Sequence, residues 1–194
     1  VGIMDDHLGS RVLAIDPISR RRRQRQRIQK DRRIHDLRHH RLLAFHDVVI
    51  RDLSIDGNRA NTGDALVDGF FCGPKPFTES AVDTNIRVEN VEISSVSRYG
   101  FDPHERTDNL AFVNCVAHDN TVDGFTIDFS SNVTIVNCEA YANGRHGLNI
   151  VTSSSGVTIT NFNAHDNGAT GITIQTGNLE TRDLTNGVVI EGGT

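Results

Sequence analysis

The sequence lacks the features that would place it in several common protein classes. Among its 194 residues, 37% of them apolar, there is no apolar run long enough to span a bilayer and no recognisable signal peptide. Its three cysteines are too few, and odd in number, for a disulfide framework. No stretch shows the apolar stripe of an amphipathic helix. A membrane protein, a disulfide-stabilised scaffold and a helical bundle are therefore not expected.

Charge is distributed unevenly along the chain. Residues 1–41 contain 12 basic and five acidic residues, whereas the remainder contains eight basic and 20 acidic residues. An acidic body is a poor ligand for nucleic acid, so we expect no nucleic-acid partner. The arginine-rich tract of residues 20–30 allows three interpretations: a polyanion-binding segment, a disordered tail, or a reading frame that is not native. We divide the chain into this atypical segment, residues 1–45, and a second unit, residues 46–194.

A ladder of glycines is the strongest signal in the second unit. Gly100, Gly124, Gly147 and Gly171 are spaced 24, 23 and 24 residues apart. A near-constant period of this length is typical of a solenoid in which each repeat forms one coil. The spacing predicts a glycine column at a tight corner, where we expect positive φ angles.

The segments after these glycines alternate as β-strands do. Short β-branched runs between Asn and Gly turns favour strands, and coils of this length can bury their apolar faces only by stacking. We therefore predict an all-β fold, a right-handed parallel β-helix. The apolar phase consists of Phe101, Phe125, Leu148 and Ile172, and the polar phase of Asp102, Thr126, Asn149 and Thr173.

Three further columns carry structural predictions. Cys115 and Cys138 stack on neighbouring coils and are expected to be small buried hydrophobic residues, with a single disulfide as the alternative. His118 and His165 lie two coils apart, too far to ligate one ion, so we expect them to face the surface. An asparagine column is expected to form a hydrogen-bonded ladder, with substrate contact as the alternative; it contains Asn90, Asn114, Asn137 and Asn161.

Stacking also predicts a functional patch on one outward face. Neighbouring coils lie about 4.8 Å apart, so groups on adjacent coils can reach one sugar of a polymer lying in the groove of a β-helix. A mixture of acid, imidazole, phenol, guanidinium and amide has little structural purpose on an exposed face. The predicted patch consists of Tyr99, Asp102, His104, Asp128, Arg145, His146 and Gln175.

Five segments together resemble a known family, the catalytic module of bacterial mannuronan C-5 epimerases. They are Tyr99-Gly-Phe-Asp-Pro-His-Glu105, residues 114–120, Asp123-Gly-Phe125, residues 143–153 and residues 171–177. The resemblance extends from about residue 47 to 194. It implies a right-handed β-helix that converts mannuronate in polymeric alginate to guluronate by inversion at carbon 5. It also implies an extracellular, calcium-dependent enzyme, and we expect a monomer.

The resemblance implies a role for individual side chains. Tyr99 and His104 handle the proton at carbon 5, although which is the base stays open. Arg145 and Gln175 neutralise the uronate carboxylate, without which removal of the neighbouring proton is difficult. The catalytic group is Tyr99, His104, Asp102 and His146, and the substrate-binding group is Arg145, Asp128, Gln175 and Asn149.

The chain departs from the family pattern in three respects. The arginine-rich segment stands where the family has further coils and a cap, a lysine expected on the coil after Thr194 has no counterpart, and no calcium-binding repeat follows. We therefore expect a fragment of an epimerase, with or without activity of its own. The alternatives are an alginate lyase on the same scaffold and a non-catalytic polysaccharide-binding β-helix. A glycoside hydrolase using Asp102 and Asp128 is disfavoured, because His104 and Arg145 would then lack a purpose.

Overall fold

A computed structural model of the chain describes residues 3–5, 10–13, 44–73, 81–104, 106–178 and 183–194. Within these ranges the structure consists of strands, turns and one short 3-10 helix, Arg59–Asn61. The arginine-rich tract predicted at residues 20–30 lies outside the described residues. The strands are β1 (Ile3–Asp5), β2 (Ser10–Leu13), β3 (His46–Asp56), β4 (Leu66–Asp68), β5 (Phe70–Cys72), β6 (Asp83–Ser94), β7 (Phe101–Pro103), β8 (Thr107–Val113), β9 (Val116–His118), β10 (Phe125–Asp128), β11 (Ser130–Val136), β12 (Glu139–Tyr141), β13 (Leu148–Val151), β14 (Ser155–His165), β15 (Ile172–Ile174), β16 (Gly177–Asn178), β17 (Asp183–Leu184) and β18 (Val189–Gly193).

The strands from β3 onwards follow a helical path of stacked coils. Coil 1 contains β3, β4 and β5; coil 2 contains β6 and β7; coil 3 contains β8, β9 and β10; coil 4 contains β11, β12 and β13; and coil 5 contains β14 and β15. The strand β18 pairs with β14 and begins the next coil. Equivalent strands of neighbouring coils pair in parallel, for example β10 with β13 and β8 with β11. The predicted parallel β-helix is confirmed.

The apolar phase of the sequence forms the interior of the coils. Phe101, Phe125 and Leu148 are in register on successive strands and are fully buried. The rings of Phe101 and Phe125 are stacked with centroids 4.5 Å apart, and Phe112 meets both of them edge-on. Burial of each such side chain contributes roughly 1.5–3 kcal/mol to folding. Stacking of equivalent residues therefore supplies the core that a single coil could not.

The predicted asparagine column is a hydrogen-bonded ladder. Asn161 donates to Asn137 at 3.1 Å, and Asn137 donates to Asn114 at 3.4 Å. Asn114 donates to Asn90 at 3.1 Å, and Asp52 of coil 1 accepts from Asn90 at 2.9 Å. These asparagines have φ angles of 52° to 53°, a region that asparagine enters more readily than most residues. The structural interpretation of this column is confirmed.

The predicted reason for the glycine column is wrong. Gly100, Gly124, Gly147 and Gly171 do not have positive φ angles. A Cβ atom on Gly124 would instead lie 2.8 Å from the carbonyl oxygen of Gly147, and one on Gly100 would lie 2.5 Å from that of Gly124. Glycine is required at this corner because successive coils approach each other closely there. The positive φ angles lie mainly at Asn and Asp residues of other turns.

The cysteine and histidine columns agree with their structural interpretations. Cys115 and Cys138 are buried and free, so the alternative disulfide is not formed. Tyr141 is stacked between His118 and His165 on the outer face of the sheet that contains β9 and β12, with ring centroids 4.7 and 5.2 Å apart. Within the ranges that the structure describes, no helix is both long enough and apolar enough to cross a membrane.

Candidate active site

The candidate site lies on the outer face of the parallel sheet formed by β5, β7, β10, β13 and β15, and on the corner that precedes it. Backbone hydrogen bonds between coils fix the register of this corner, as between Gly100 and Asp123 and between Gly124 and His146. Each outward position therefore forms a column along the helix axis. The corner column contains Asp68, Tyr99, Asp123, His146 and Thr170; the central column contains Phe71, Asp102, Thr126, Asn149 and Thr173; and the edge column contains His104, Asp128, Val151 and Gln175.

Asp123 is the centre of the most extensive polar network in this region. Its buried carboxylate accepts two bonds from Arg145, from Nε at 2.8 Å and from Nη2 at 2.6 Å. The backbone N–H of His146 donates to it at 3.0 Å. The Asn149 amide and the Thr126 hydroxyl donate to it at 3.1 and 3.2 Å. Burial alone raises the pKa of Asp123, but the bonds from Arg145, His146 and Asn149 bring it below its usual value.

Asp102, His104 and Asp128 form a second cluster one column away. His104 Nδ1 lies 3.1 Å from Asp128 Oδ2 and 3.8 Å from Asp102 Oδ1, and the His104 ring packs against Phe71. Burial, reinforced by the negative charge of Asp68, raises the pKa of Asp102 to about 8, although His104 and Arg98 oppose this shift. Asp102 is therefore mostly protonated at neutral pH.

Two carboxyl oxygens of this cluster have no hydrogen-bond partner among the described residues. They are Oδ1 of Asp102 and Oδ1 of Asp128, and both are buried. Buried polar atoms are nearly always paired in folded proteins, and an unpaired one calls for an explanation such as a ligand or an ordered water. The cluster can thus interact with a polar ligand in the groove.

Tyr99 and His146 lie two coils apart in the corner column, on either side of Asp123. Partial burial raises the pKa of Tyr99, and the positive charge of Arg145 offsets this only in part. Its phenol therefore keeps a proton at neutral pH. His146 Nδ1 lies 2.6 Å from the Thr170 hydroxyl, which fixes the orientation of the ring. Gln175, which is exposed, donates to Asn149 at 3.2 Å.

The structure brings all eight predicted site residues onto coils 2 to 5 of one face. It differs from the predicted open groove in their exposure, because Asp102 and Asn149 are only 1% and 2% exposed. The guanidinium of Arg98 lies 3.5 Å from the Asp102 carboxyl group. The glycine phase places Arg98 and Asp123 among the groove positions, but neither was predicted as a site residue, nor were Asp68 and Phe71. The repeated Asp-Gly-Phe segments at 68–70 and 123–125 are the sequence signal that could have identified both aspartates.

Few side chains in the described part of the chain are placed to act together as ligands of a metal ion. There, no group of three or more His, Cys, Asp or Glu side chains is placed to hold a metal ion. Calcium usually takes six to eight oxygen ligands, several of them carboxylates. The calcium ion implied by the resemblance therefore finds no fitting carboxylate cluster among these residues, and no catalytic step is assigned to it.

The chain is similar to alginate-modifying proteins of Azotobacter vinelandii. It is 55% identical over 109 residues to "Alginate lyase 7", a match that covers 56% of this chain and 12% of that protein. It is 53% identical over 105 residues to "Mannuronan C5-epimerase AlgE6" and 50% identical over 105 residues to "Mannuronan C5-epimerase AlgE4". These matches cover 54% of this chain and 12% and 19% of the two proteins. The chain thus spans less than a fifth of the length of these relatives.

The fold comparison agrees with the sequence comparison. The A-module of mannuronan C-5 epimerase AlgE6 from Azotobacter vinelandii superposes with a TM-score of 0.69 at 43% sequence identity, over 76% of this chain and 38% of that chain. A family model described as "Right handed beta helix region" matches residues 78–193. Because this match extends over more than half of the sequence, the chain belongs to the right-handed β-helix family, and the predicted resemblance to mannuronan C5-epimerases is confirmed.

Proposed function

We propose that this chain is part of a mannuronan C5-epimerase and that the patch around Tyr99, His104 and Arg145 inverts carbon 5 of mannuronate residues in alginate. One observation supports this most directly. Tyr99, Asp102 and His104 bring a phenol, a protonated carboxyl group and an imidazole together on coil 2, and the guanidinium of Arg145 lies on coil 4 of the same face. Relatives with similar sequences are named mannuronan C5-epimerases. We further propose that the protein acts outside the cell and as a monomer. The calcium ion stays a prediction from the resemblance alone.

The first requirement of the reaction is to lower the charge on the uronate carboxylate. Arg145 is already paired with the buried Asp123, so it contributes oriented N–H donors more than net positive charge. Asp102 in its protonated form adds an O–H donor without adding negative charge. These donors stabilise the negative charge that develops when the carbon 5 proton leaves.

The second requirement is a base on one face of the sugar and an acid on the other. If Nδ1 of His104 donates to Asp128, Nε2 is left with a lone pair that can accept the carbon 5 proton. Tyr99, whose raised pKa keeps the phenol protonated, gives its proton to carbon 5 from the other side. Exchange with solvent then returns His104 and Tyr99 to their starting states. Asp102 and His146 lie beside Tyr99 and His104, and the amides of Asn149 and Gln175 supply further hydrogen-bond donors for the uronate.

A lyase is the second candidate, because a relative at 55% identity is named "Alginate lyase 7". Both reactions begin with removal of the carbon 5 proton, and they diverge at the next step. The epimerase returns a proton to carbon 5, whereas the lyase expels the oxygen linked at carbon 4 and leaves an unsaturated sugar.

The proposal is tested by removing each reacting group separately. With polymannuronate as substrate, Tyr99→Phe and His104→Gln are expected to lower guluronate formation about 100-fold or more, as seen by proton NMR, while alginate binding persists. Tyr141→Phe is the matched control, since this tyrosine lies on a different sheet, and its activity should equal that of the unchanged protein. Variants that keep full activity would contradict the roles proposed for Tyr99 and His104. Binding without turnover in an extended version of the chain would instead indicate a non-catalytic module.

A further inference from the structure

Arg98 and Asp68 repeat, two coils earlier, the arrangement of Arg145 and Asp123. Arg98 Nε donates to Asp68 Oδ1 at 2.6 Å, and its Nη2 donates to Asp68 Oδ2. The N–H of Tyr99 reaches Asp68 Oδ1 at 3.3 Å, as the N–H of His146 reaches Asp123. In both cases a fully buried carboxylate fixes the guanidinium of the next coil by two parallel bonds.

The column that carries these arginines alternates with a period of two coils. Backbone hydrogen bonds join its members in sequence, for example Arg98 to Val67 and Arg145 to Val122. Small apolar residues occupy the coils between the arginines, so a guanidinium appears only on every second coil. The column reads Val67, Arg98, Val122, Arg145 and Ala169.

Both guanidinium groups are partly exposed and retain N–H donors that the buried carboxylates do not use. The side chains of Arg98 and Arg145 are 22% and 42% exposed, whereas Asp68 and Asp123 are fully buried. The carboxylates are bound through Nε and Nη2, and Nη2 of Arg98 also lies 3.5 Å from Asp102 Oδ2. The Arg98 guanidinium lies over the Tyr99 ring, 5.1 Å from its centroid, and no described residue accepts a hydrogen bond from its Nη1. A guanidinium has five N–H donors, so each arginine can bind a further carboxylate.

We propose that Arg98 forms a second uronate subsite, two sugars along the polymer from the uronate held at Arg145. The two arginines are separated by two coils, roughly 10 Å. In an extended 1,4-linked uronate chain, successive carboxylates point to opposite edges, so those on one edge belong to every second sugar. The two-coil period of the arginine column therefore matches the two-sugar period of the ligand. This subsite depends on the proposed function, because it takes the same polymer.

The subsite is tested by measuring the affinity of size-defined oligomannuronates by calorimetry. A trisaccharide is the shortest chain that reaches both arginines, so its affinity for the unchanged protein should exceed that of the disaccharide by about tenfold. The double variant Asp68→Asn with Arg98→Gln avoids leaving a buried carboxylate unpaired. It should abolish the difference in affinity between trisaccharide and disaccharide, and the affinity for the disaccharide should be retained. Asp123→Asn with Arg145→Gln should weaken both ligands. Arg87→Gln, in β6 and outside the site columns, is the control and should change neither.

Each outcome decides the proposal. A smooth rise of affinity with length in the unchanged protein would overturn the subsite, and this readout does not depend on any variant folding. Equal weakening of both ligands by the Arg98 double variant would indicate a structural pair only. If the unchanged protein epimerises polymannuronate but shows either result, the subsite fails and the proposed function stands. Absence of oligomannuronate binding would overturn both.

Discussion

Asp123 on coil 3 and Arg145 on coil 4 are joined by two parallel hydrogen bonds, of 2.8 and 2.6 Å, between a fully buried carboxylate and a partly exposed guanidinium. The pair also fixes the backbone N–H of His146 and the amide of Asn149. One buried carboxylate therefore orients three of the residues predicted to form the site. The guanidinium of Arg145 is therefore held in a defined orientation, and its positive charge is balanced by the buried carboxylate of Asp123.

Replacing Asp123 should uncouple this network. Asp123→Asn removes the charge from a buried carboxylate that accepts hydrogen bonds from Arg145, His146 and Asn149, and we expect the free energy of unfolding to fall by about 3 kcal/mol. Thr126→Val removes a single bond to the same carboxylate and should cost only about 1 kcal/mol. Urea denaturation of both variants checks this order. Equal costs would show that Asp123 does not organise the network.

Asp102 should make stability depend on pH. Its pKa is about 8 in the folded chain and near 3.8 when exposed, so the folded state holds the proton more tightly. The contribution of Asp102 to the free energy of unfolding is therefore most favourable below about pH 4. It falls as the pH rises toward 8 and stays constant above that pH. Asp102→Asn should remove this decline and be more stable than the unchanged protein at pH 8. Denaturation curves from pH 5 to 9 measure the difference, and an unchanged slope in the variant would contradict the assigned protonation.

His118 should contribute a pH dependence through a different pair of contacts. Partial burial lowers the pKa of His118, but its bonds to Asp119 and Glu92 outweigh this and raise it above the usual 6.5. Its stabilising contribution is therefore complete below pH 6.5 and is lost as pH rises through the raised folded value. His118→Gln should lose this contribution. NMR titration of the imidazole gives the pKa directly, and a value at or below 6.5 would rule out the proposed contribution.

Gly124→Ala should be strongly destabilising for a steric reason. The new Cβ would meet the carbonyl oxygen of Gly147 at 2.8 Å and the Cβ of Ala140 at 3.0 Å, so the coils would have to separate. Overpacking of this kind costs roughly 1–3 kcal/mol. Gly63→Asn is the control, because Gly63 has φ +59° with open space around it and asparagine tolerates that conformation. Similar melting temperatures for the two variants would contradict the close-approach explanation.

The fold could be predicted from the sequence because, in a solenoid, the same residue types recur at the length of one coil. The spacing of the glycines placed Tyr99, Arg145 and Gln175 on one face without knowledge of any contact. The reason for the glycines could not be obtained in this way, since close approach depends on the path of the neighbouring coil. The same holds for Asp102, because alternation gives the face of a strand but not how far side chains such as Arg98 cover it.

The partner of Arg145 could not be predicted from the sequence either. The glycine ladder places Asp123 directly before Gly124, at the corner beside the groove, but only the register between coils shows that its carboxylate is buried and bonded to the guanidinium of Arg145. On the sequence alone, Arg145 therefore has a charge-neutralising role. The proposed function relies instead on hydrogen bonding from Arg145 together with a neutral Asp102.

The most direct test of the epimerase proposal is incubation with polymannuronate in heavy water, using this chain or a longer version that contains it. If a proton is removed from carbon 5 and replaced on the opposite face, the guluronate formed should carry deuterium at carbon 5, and no ultraviolet absorption from unsaturated ends should appear. Unsaturated ends without deuterated guluronate would contradict the epimerase proposal and identify a lyase.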